Sequence, residues 1–356
     1  MSMIVNALPS VTWNQLRVNQ SEAEEIHYNG EVSLDEDLPA AVFGYREEAN
    51  GEAAKQIGQI QTGMGADMDV LFEEHSREWL CLRVKDGQKV EDPARLHFHY
   101  QYRSQDLERF ALDLEEGSAL TLIMDYTVDM ANPGSCGIQL KGHLGKNSSL
   151  TLYQIEMLGA GFTCMNDIGF LCEEGASVSI IQLFLGKGKI YTGCKTTLAG
   201  DKSSVKIQIG YQAGRESLLD MNYVAIHQGK ETKSNLITSG VLRENAKKIF
   251  RGTIDFQTGS SAAVGDEKEE VLLLDEGVVN QTVPLILCAE EDVVGNHGAT
   301  IGKVDEDSLF YLESRGISQA EVMEMLSKAK VEAICKQIED SRIKEQAFAY
   351  LEGGRE

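Results

Sequence analysis

Short stretches in which apolar and polar residues alternate recur along the chain, each preceded by a small polar turn. Ala119-Leu120-Thr121-Leu122 follows Glu116-Gly117-Ser118, and Ser149-Leu150-Thr151-Leu152 follows Gly145-Lys146-Asn147-Ser148. Ser177-Val178-Ser179-Ile180 follows Glu174-Gly175-Ala176, and Ser204-Val205-Lys206-Ile207 follows Gly200-Asp201-Lys202-Ser203. Counted between the first large apolar residues, Leu120, Leu150, Val178 and Val205, the steps are 30, 28 and 27 residues. Weaker echoes stand at Ser234-Asn235-Leu236-Ile237 and Ser261-Ala262-Ala263-Val264. Alternation predicts strands with one buried face, with Leu120, Leu122, Val178 and Ile180 inward and Thr121 and Ser179 outward. A strand of four or five residues cannot bury that face alone, whereas copies stacked about 4.8 Å apart share a continuous core. Leu152-Tyr153-Gln154-Ile155 and Ile181-Gln182-Leu183-Phe184 lie between the marked strands, so each repeat holds two or three strands separated by Gly turns. The expected fold is mainly β, a parallel β-helix. A β-sandwich or jelly roll is the rival, but it calls for regular hairpins with two-residue turns, which do not recur here.

The flanks read differently. Residues 1–110 form a mixed region in which Trp13, Leu16 and Val18 could anchor an early segment, and strands are expected at 79–84 and 96–100. The Gly-rich, polar stretch 49–66 reads as a mobile linker or lid. Residues 111–303 are the expected β-helix core, and 304–356 a helical, partner-docking region. There a helix over 305–313 ends at Gly316, and a capping box, Ser318 with Glu321, opens a second through Val322, Met325 and Leu326. A third is expected from about Val331 through Ile338 into Phe348, the helices capping one end of the β-helix.

Composition narrows the function. The 33 Lys and Arg against 56 Asp and Glu leave a net charge of −23, which repels phosphate backbones and argues against nucleic acid. No uncharged apolar run reaches about 18 residues, so no membrane span is expected, and Met1–Ser10 does not read as a signal peptide. The seven cysteines, an odd number with no close pair, fit buried thiols in a reducing cytoplasm rather than a zinc knuckle or redox pair. Gly186-Lys187-Gly188-Lys189 lacks the ending of a phosphate-binding loop, so no nucleotide is expected on this chain. Nor does a nucleophile elbow or Ser/His/Asp order emerge. His97 and His99 share a strand face without an evident third ligand, and Cys164 and Cys172 could meet on adjacent strands.

Residues 250–340 carry a resemblance. Phe250-Arg251-Gly252-Thr253-Ile254, Leu272-Leu273-Leu274, Val283-Pro284-Leu285, Asn296-His297-Gly298-Ala299-Thr300-Ile301-Gly302 and Leu309-Phe310-Tyr311-Leu312-Glu313-Ser314-Arg315-Gly316-Ile317 resemble the core of the SufB/SufD family of iron–sulfur cluster assembly scaffolds. The last two runs match its "HGAT-G" and "FY--SRG" signatures. The resemblance implies a right-handed parallel β-helix between an N-terminal region and a C-terminal helical domain. It also implies a SufC-like ABC-type ATPase docking on that domain, a SufB-like scaffold or a second copy of this chain as the other partner, and a transient iron–sulfur cluster as cargo.

On that footing His297 is the candidate metal residue, an imidazole whose other nitrogen a carboxylate could orient, with Glu290, Glu291 and Asp292 nearby in sequence. Cys288 is a weaker candidate, because thiolate with imidazole suits iron–sulfur chemistry, although it could equally be a small core residue. Phe310, Tyr311, Arg315 and Gly316 are the candidate partner contacts. The departures make the chain closer to the SufD type: Glu269 stands where SufB-type proteins carry a cysteine, and Gly298 follows the motif histidine in place of their glutamate. A non-enzymatic cytoplasmic scaffold is the expected function. A regulator that lost cluster assembly, or a β-helix carbohydrate-active enzyme, are the alternatives.

Overall fold

The structure, a computed structural model, describes residues 2–353 apart from 13, 27–31, 49, 76–77 and 129–132; Trp13 therefore lies outside the described residues. Its body is a right-handed parallel β-helix flattened into two nine-stranded sheets between which the chain alternates. Sheet one runs from Val32–Asp37 through Ala94–Tyr100, Ala119–Val128, Ser149–Met157, Ser177–Phe184, Ser204–Ala213, Lys233–Leu242 and Ala263–Leu273 to Val293–Lys303. Sheet two runs from Phe43–Glu48 through Glu78–Val84, Gln105–Leu114, Gly134–Leu144, Phe162–Cys172, Lys189–Leu198, Leu218–His227 and Lys247–Phe256 to Val279–Cys288. The first strand of each sheet is antiparallel to its neighbour and the rest are parallel. Parallel stacking thus begins at Glu78, well before the expected start at 111.

The repeat seen in the sequence is the rung register. Leu120, Leu150, Val178 and Val205 pair in one row across four strands, and Leu120, Leu122, Val178 and Ile180 are buried in the lumen. The weaker echoes are out of step: Ser234 and Gly265, not Leu236 and Val264, continue that row. Register survives there because the turns repeat even where the apolar pattern does not. Gly117, Asn147, Gly175, Lys202, Glu231 and Ala262 all have positive φ, and each donates its N–H to a carbonyl of the next rung's turn. The small residue after the left-handed position is sealed inside the bend, where the Ser118 and Ser203 hydroxyls each donate to the carbonyl three residues back at 2.7 Å. A large side chain there would have no room.

Each outer face carries its own cover. Helices α1 (Glu52–Ile57) and α2 (Ala66–His75) lie on sheet two. Of the 49–66 stretch, expected as a mobile linker or lid, the part from Gly58 to Ala66 is packed rather than loose. The Met64 N–H donates to Asp167 Oδ1 at 2.8 Å, Asn222 Nδ2 donates to the Gly63 carbonyl at 2.8 Å, and a Cβ on Gly63 would lie 2.0 Å from the backbone of Cys194. Its glycines allow backbone to meet backbone. The first strand pair, Ser2–Val5 with Ser21–Glu24, lies over the same sheet, tied by Arg251, whose Nη1 is 2.6 Å from Asp220 Oδ1 and whose Nε donates to the Val18 carbonyl at 2.6 Å.

Three helices close the chain: α3 (Glu306–Ser314), α4 (Gln319–Cys335) and α5 (Ser341–Gly353). Gly316 at φ +86 stops the first, and the expected Ser318–Glu321 capping box opens the second. The single helix expected from Val331 to Phe348 is instead the end of α4, a break at 336–340 and α5. These helices do not close an end of the solenoid. Val331, Ile334, Ile338 and Ile343 pack on Ile123, Tyr153, Ile155, Ile181 and Leu183, outward-facing apolar residues of sheet one that need cover, each worth roughly 1.5–3 kcal/mol when buried. Among the described residues no helix is long and apolar enough to cross a membrane.

Candidate functional site

The C-terminal end of the solenoid is open among the described residues: Val293–Lys303 and Val279–Cys288 are the last strands of their sheets there. His297 lies on the outermost strand of sheet one, exposed. A Cβ on Gly295, two residues earlier, would touch Phe256 and Ile286 across the lumen, so by alternation His297 faces the lumen mouth. Its register partner on the strand beneath is Glu267. Two residues along the same face, Glu269 contacts Lys248 Nζ in an ion pair, and Lys248 also donates to Thr282 Oγ1 at 3.1 Å. Glu267, Glu269 and Lys248 are only 5%, 1% and 0% exposed, an ammonium with two carboxyls inside the tube.

Burial dominates the electrostatics of this group. It pushes the Glu267 carboxyl up to about 8, with the Glu269 charge adding to the rise and Lys248 opposing it. Burial also pulls the Lys248 ammonium down against the pull of Glu269. One oxygen of each carboxyl, Glu267 Oε2 and Glu269 Oε2, is buried without a hydrogen-bond partner among the described residues. Gly252 makes room for this, since a Cβ there would lie 2.5 Å from the Glu267 carboxyl. The result is a stack of one imidazole and two carboxyls with unspent acceptor capacity at a mouth open to solvent. Oxygen and imidazole donors are the chemistry of a divalent first-row metal ion, but among the described residues the group of three whose ligand atoms lie within 4.8 Å of one another is Glu25, Glu74 and His75, elsewhere on the molecule.

Cys288 does not join them. Gly252 stands across from Glu267, Gly265 from Ile254 and Gly295 from Ile286; continuing the same offset puts Pro284 opposite His297 and Cys288 opposite Val293. Four residues of strand, about 13 Å, then separate the thiol from the position facing the imidazole. The thiol is exposed and donates to the Glu290 carbonyl at 3.0 Å. Glu290 and Asp292 hold the Gly259 N–H and the Ser261 hydroxyl instead of His297. The other six cysteines are buried; Cys164 and Cys172 share one strand, and Cys164 is in register with Cys136. His97 and His99 are occupied on the outside of the solenoid by Asp125 at 2.6 Å and Thr127 at 3.1 Å.

Glu267, Glu269 and Lys248 were not recognisable as a site from the residues alone. Their only signal is the placing of carboxylates at alternate positions of a strand that ends in Leu272-Leu273-Leu274, where apolar residues belong.

A second surface lies on the terminal helices. Phe310 and Tyr311 are 73% and 55% exposed on α3, with the Arg315 guanidinium 5.0 Å from the Tyr311 ring centroid. Met325 on α4 is also exposed, and it lines a groove with Gly316, Ile317 and Lys328.

Comparison with known proteins connects the two surfaces. Residues 99–330 match the family model described as SUF system FeS cluster assembly, SufBD core domain. The chain is 24% identical over 275 residues to the iron–sulfur cluster assembly protein SufD of Bacillus subtilis, covering 76% of this chain and 63% of that protein. It is 29% identical over 329 residues to an iron–sulfur cluster assembly SufBD family protein of Staphylococcus epidermidis, covering 90% and 70% respectively. A similar family protein of Mycobacterium tuberculosis matches at 28% over 166 residues, which span 20% of its length. The matched stretch is thus under two thirds of the Bacillus relative and a fifth of the mycobacterial one. Both the open lumen mouth and most of the groove helix fall inside the matched core, and on that match the chain belongs to the SufBD family of the SUF system.

Proposed function

We propose that this chain is a non-enzymatic, cytoplasmic scaffold subunit of a SUF-type iron–sulfur assembly complex, pairing with a second scaffold chain at the open end of its solenoid. The observation that carries this is the pair of unpaired parallel edges lying over the Glu267, Glu269 and Lys248 group. The outer strand Val293–Lys303 is long and bears no carboxylate. Such an edge invites strand addition unless a partner covers it, and family membership makes a SufB-like scaffold or a second copy of this chain the fitting cover. Pairing would seal His297 beside Glu267, so that a nascent cluster, as cargo, would meet imidazole and carboxyl donors from this side and thiolates from the other. An ABC-type ATPase of the SufC kind would grip Phe310, Tyr311, Arg315 and the turn at Gly316.

The test is an anaerobic affinity purification from the native cells, with partners identified by mass spectrometry. An ATPase with a cysteine-bearing scaffold supports the heteromeric reading, and an ATPase alone supports self-pairing. Absence of the ATPase overturns the role. A second reading, a regulator that kept the partner surfaces without assembling clusters, is favoured by one observation: a carboxyl, Glu269, occupies the mouth where a thiolate would be needed. Normal cluster maturation in cells carrying His297→Ala would support it.

A further inference from the structure

We infer that the N-terminal hairpin forms part of the face on which a second copy of this chain docks, with Leu16 as its contact at the rim of the open end. The inference rests on the pairing reading above and goes further, because it names the occupant and adds a segment from the other end of the sequence.

The hairpin runs outward across the rungs of sheet two. Ser21 opens its second strand, and its hydroxyl donates to Asp220 on the strand Leu218–His227. The Val18 carbonyl accepts from Arg251 Nε on the next strand, Lys247–Phe256, at 2.6 Å. The Leu16 carbonyl accepts from Gln281 Nε2 on the last strand, Val279–Cys288, at 3.1 Å. The three contacts advance by one strand each, about 4.8 Å a step, and bring the short turn Asn14–Leu16 to the outermost rung. Asn19 holds this tip in shape. Its Oδ1 accepts from the Thr12 N–H at 2.7 Å and the Thr12 hydroxyl at 2.9 Å, and its Nδ2 donates to Asn14 Oδ1 at 2.8 Å. A tip already ordered loses little freedom on docking.

Leu16 is 56% exposed although Val18 beside it is buried. Val279 stands two residues before Gln281, on the same outward face of the strand, and is exposed too, as are Val294 and Ile301 on the last strand of sheet one. Lys303 is the only Asp, Glu, Lys or Arg on either edge strand, in a chain of net charge −23. Two copies can therefore bring these strands together without the repulsion that acidic chains meet elsewhere. The opposite end of the solenoid is guarded. Its first strands carry Asp35, Glu36 and Asp37 on one side, and Glu47 and Glu48 beside Arg46 on the other, and charged edges resist strand addition. Open end against open end is the favoured meeting, which closes a pair instead of growing a filament.

The two edges contribute differently. Val293–Lys303 contains no proline and can take an added strand. Val279–Cys288 has Pro284 at its middle, with no N–H to give to a ladder. On that side contact falls to side chains, and Leu16 and Val279 supply apolar ones, as the buried part of an interface requires.

The experiment is sedimentation equilibrium of the purified full chain over a concentration series, comparing the parent with Leu16→Asp, Ile301→Asp and Val70→Asp. Val70 is 51% exposed on α2, whose Asp69 pairs with Lys141 on the strand Gly134–Leu144, far from the last rungs. Self-association of the parent is expected, with the dissociation constant raised about tenfold or more by Leu16→Asp and by Ile301→Asp and unchanged by Val70→Asp. The thermal midpoint of Leu16→Asp should match the parent, since the side chain is exposed; Leu16→Ser, which adds no charge, replaces it if the midpoint shifts. A response to Ile301→Asp with none at Leu16 would overturn the inference and leave end-on pairing standing. Equal weakening by Val70→Asp would reveal a general charge effect and overturn it as well. A parent that stays monomeric would remove the second copy as occupant, while the pairing reading would still stand on a cysteine-bearing scaffold recovered from the native cells. Self-association that ignores both Leu16→Asp and Ile301→Asp would lie on another face and overturn both.

Discussion

Glu267 and His297 occupy the same register position on adjacent parallel strands, yet one is sealed in the lumen and the other is open to solvent. One more rung makes the difference. Because His297 is exposed, with no strand above it and no carboxylate paired to it among the described residues, His297→Ala should change the unfolding free energy by less than about 0.5 kcal/mol. Glu269→Ala leaves the Lys248 ammonium buried and unpaired, and should cost about 3–5 kcal/mol. Urea titrations of the two variants check both. A His297→Ala protein that unfolds early would show the imidazole to be structural.

Stability should fall as pH rises from weakly acid to weakly alkaline. Burial pushes Glu156, Glu267 and Asp106 each up to about 8, so the folded chain keeps protons that the unfolded chain loses near pH 4. The folded state therefore has its full advantage below about pH 4.5 and loses it as pH climbs to about 8, by at most about 1.4 kcal/mol per pH unit for each group. His143, raised chiefly by its hydrogen bond to Asp113 and further by Glu173, acts in the same direction in a window starting near its ordinary value. Glu156→Gln should flatten the slope by one group's share. Denaturant midpoints between pH 5 and 8.5 decide it, and an unchanged slope would mean that Glu156 is ionised in the lumen.

Arg251 is fully buried and holds the N-terminal strand pair through the Val18 carbonyl, the Ser21 hydroxyl and Asp220. Arg251→Met should cost about 3–5 kcal/mol, because Asp220 is left as an uncompensated buried charge. Asn6 Nδ2, 2.7 Å from Asp220 Oδ1, recovers part of that. Limited proteolysis should then cut between residues 7 and 20 faster than in the parent. A variant as resistant as the parent would show that the strap is held by its apolar contacts alone.

The backbone contact between Gly63 and Gly193 can be broken from either side. A Cβ on Gly193 would lie 2.5 Å from the Gly63 carbonyl carbon, so Gly193→Ala should destabilise by about 1–3 kcal/mol. Gly63→Ala should do the same, and the double variant should fall well short of the sum, since both disrupt one contact. Additive losses would mean that the two glycines serve separate constraints.

The turn-and-strand rhythm from Leu120 to Val205 was enough to favour the β-helix over a sandwich and to give the inward rows, because copies stacked at a constant spacing share one buried face. The Ser318–Glu321 box and the stop at Gly316 were equally legible, being local hydrogen-bond devices. The rhythm failed at Leu236 and Val264, where turn register, a property of the stacked rungs, outweighed the position of the first apolar residue. Composition likewise misjudged residues 58–66: small residues signalled looseness, but here they permit close packing on Gly169 and Gly193.

The candidate site divides in the same way. His297 and the aromatic pair Phe310 and Tyr311 could be named from their motifs, since each sits in a short contiguous run. Glu267, Glu269 and Lys248 come from two strands of different sheets, and only the winding of the solenoid brings Lys248 to the two carboxyls. The tertiary structure also decided that Cys288 lies away from His297, that the helices cover a face rather than an end, and that Leu16 reaches the last strand of sheet two. Local sequence fixes where strands and turns fall, because their hydrogen bonds and alternation are short-ranged. Which side chains meet depends on rung offsets accumulated over some thirty residues at a time, and no local pattern records that sum.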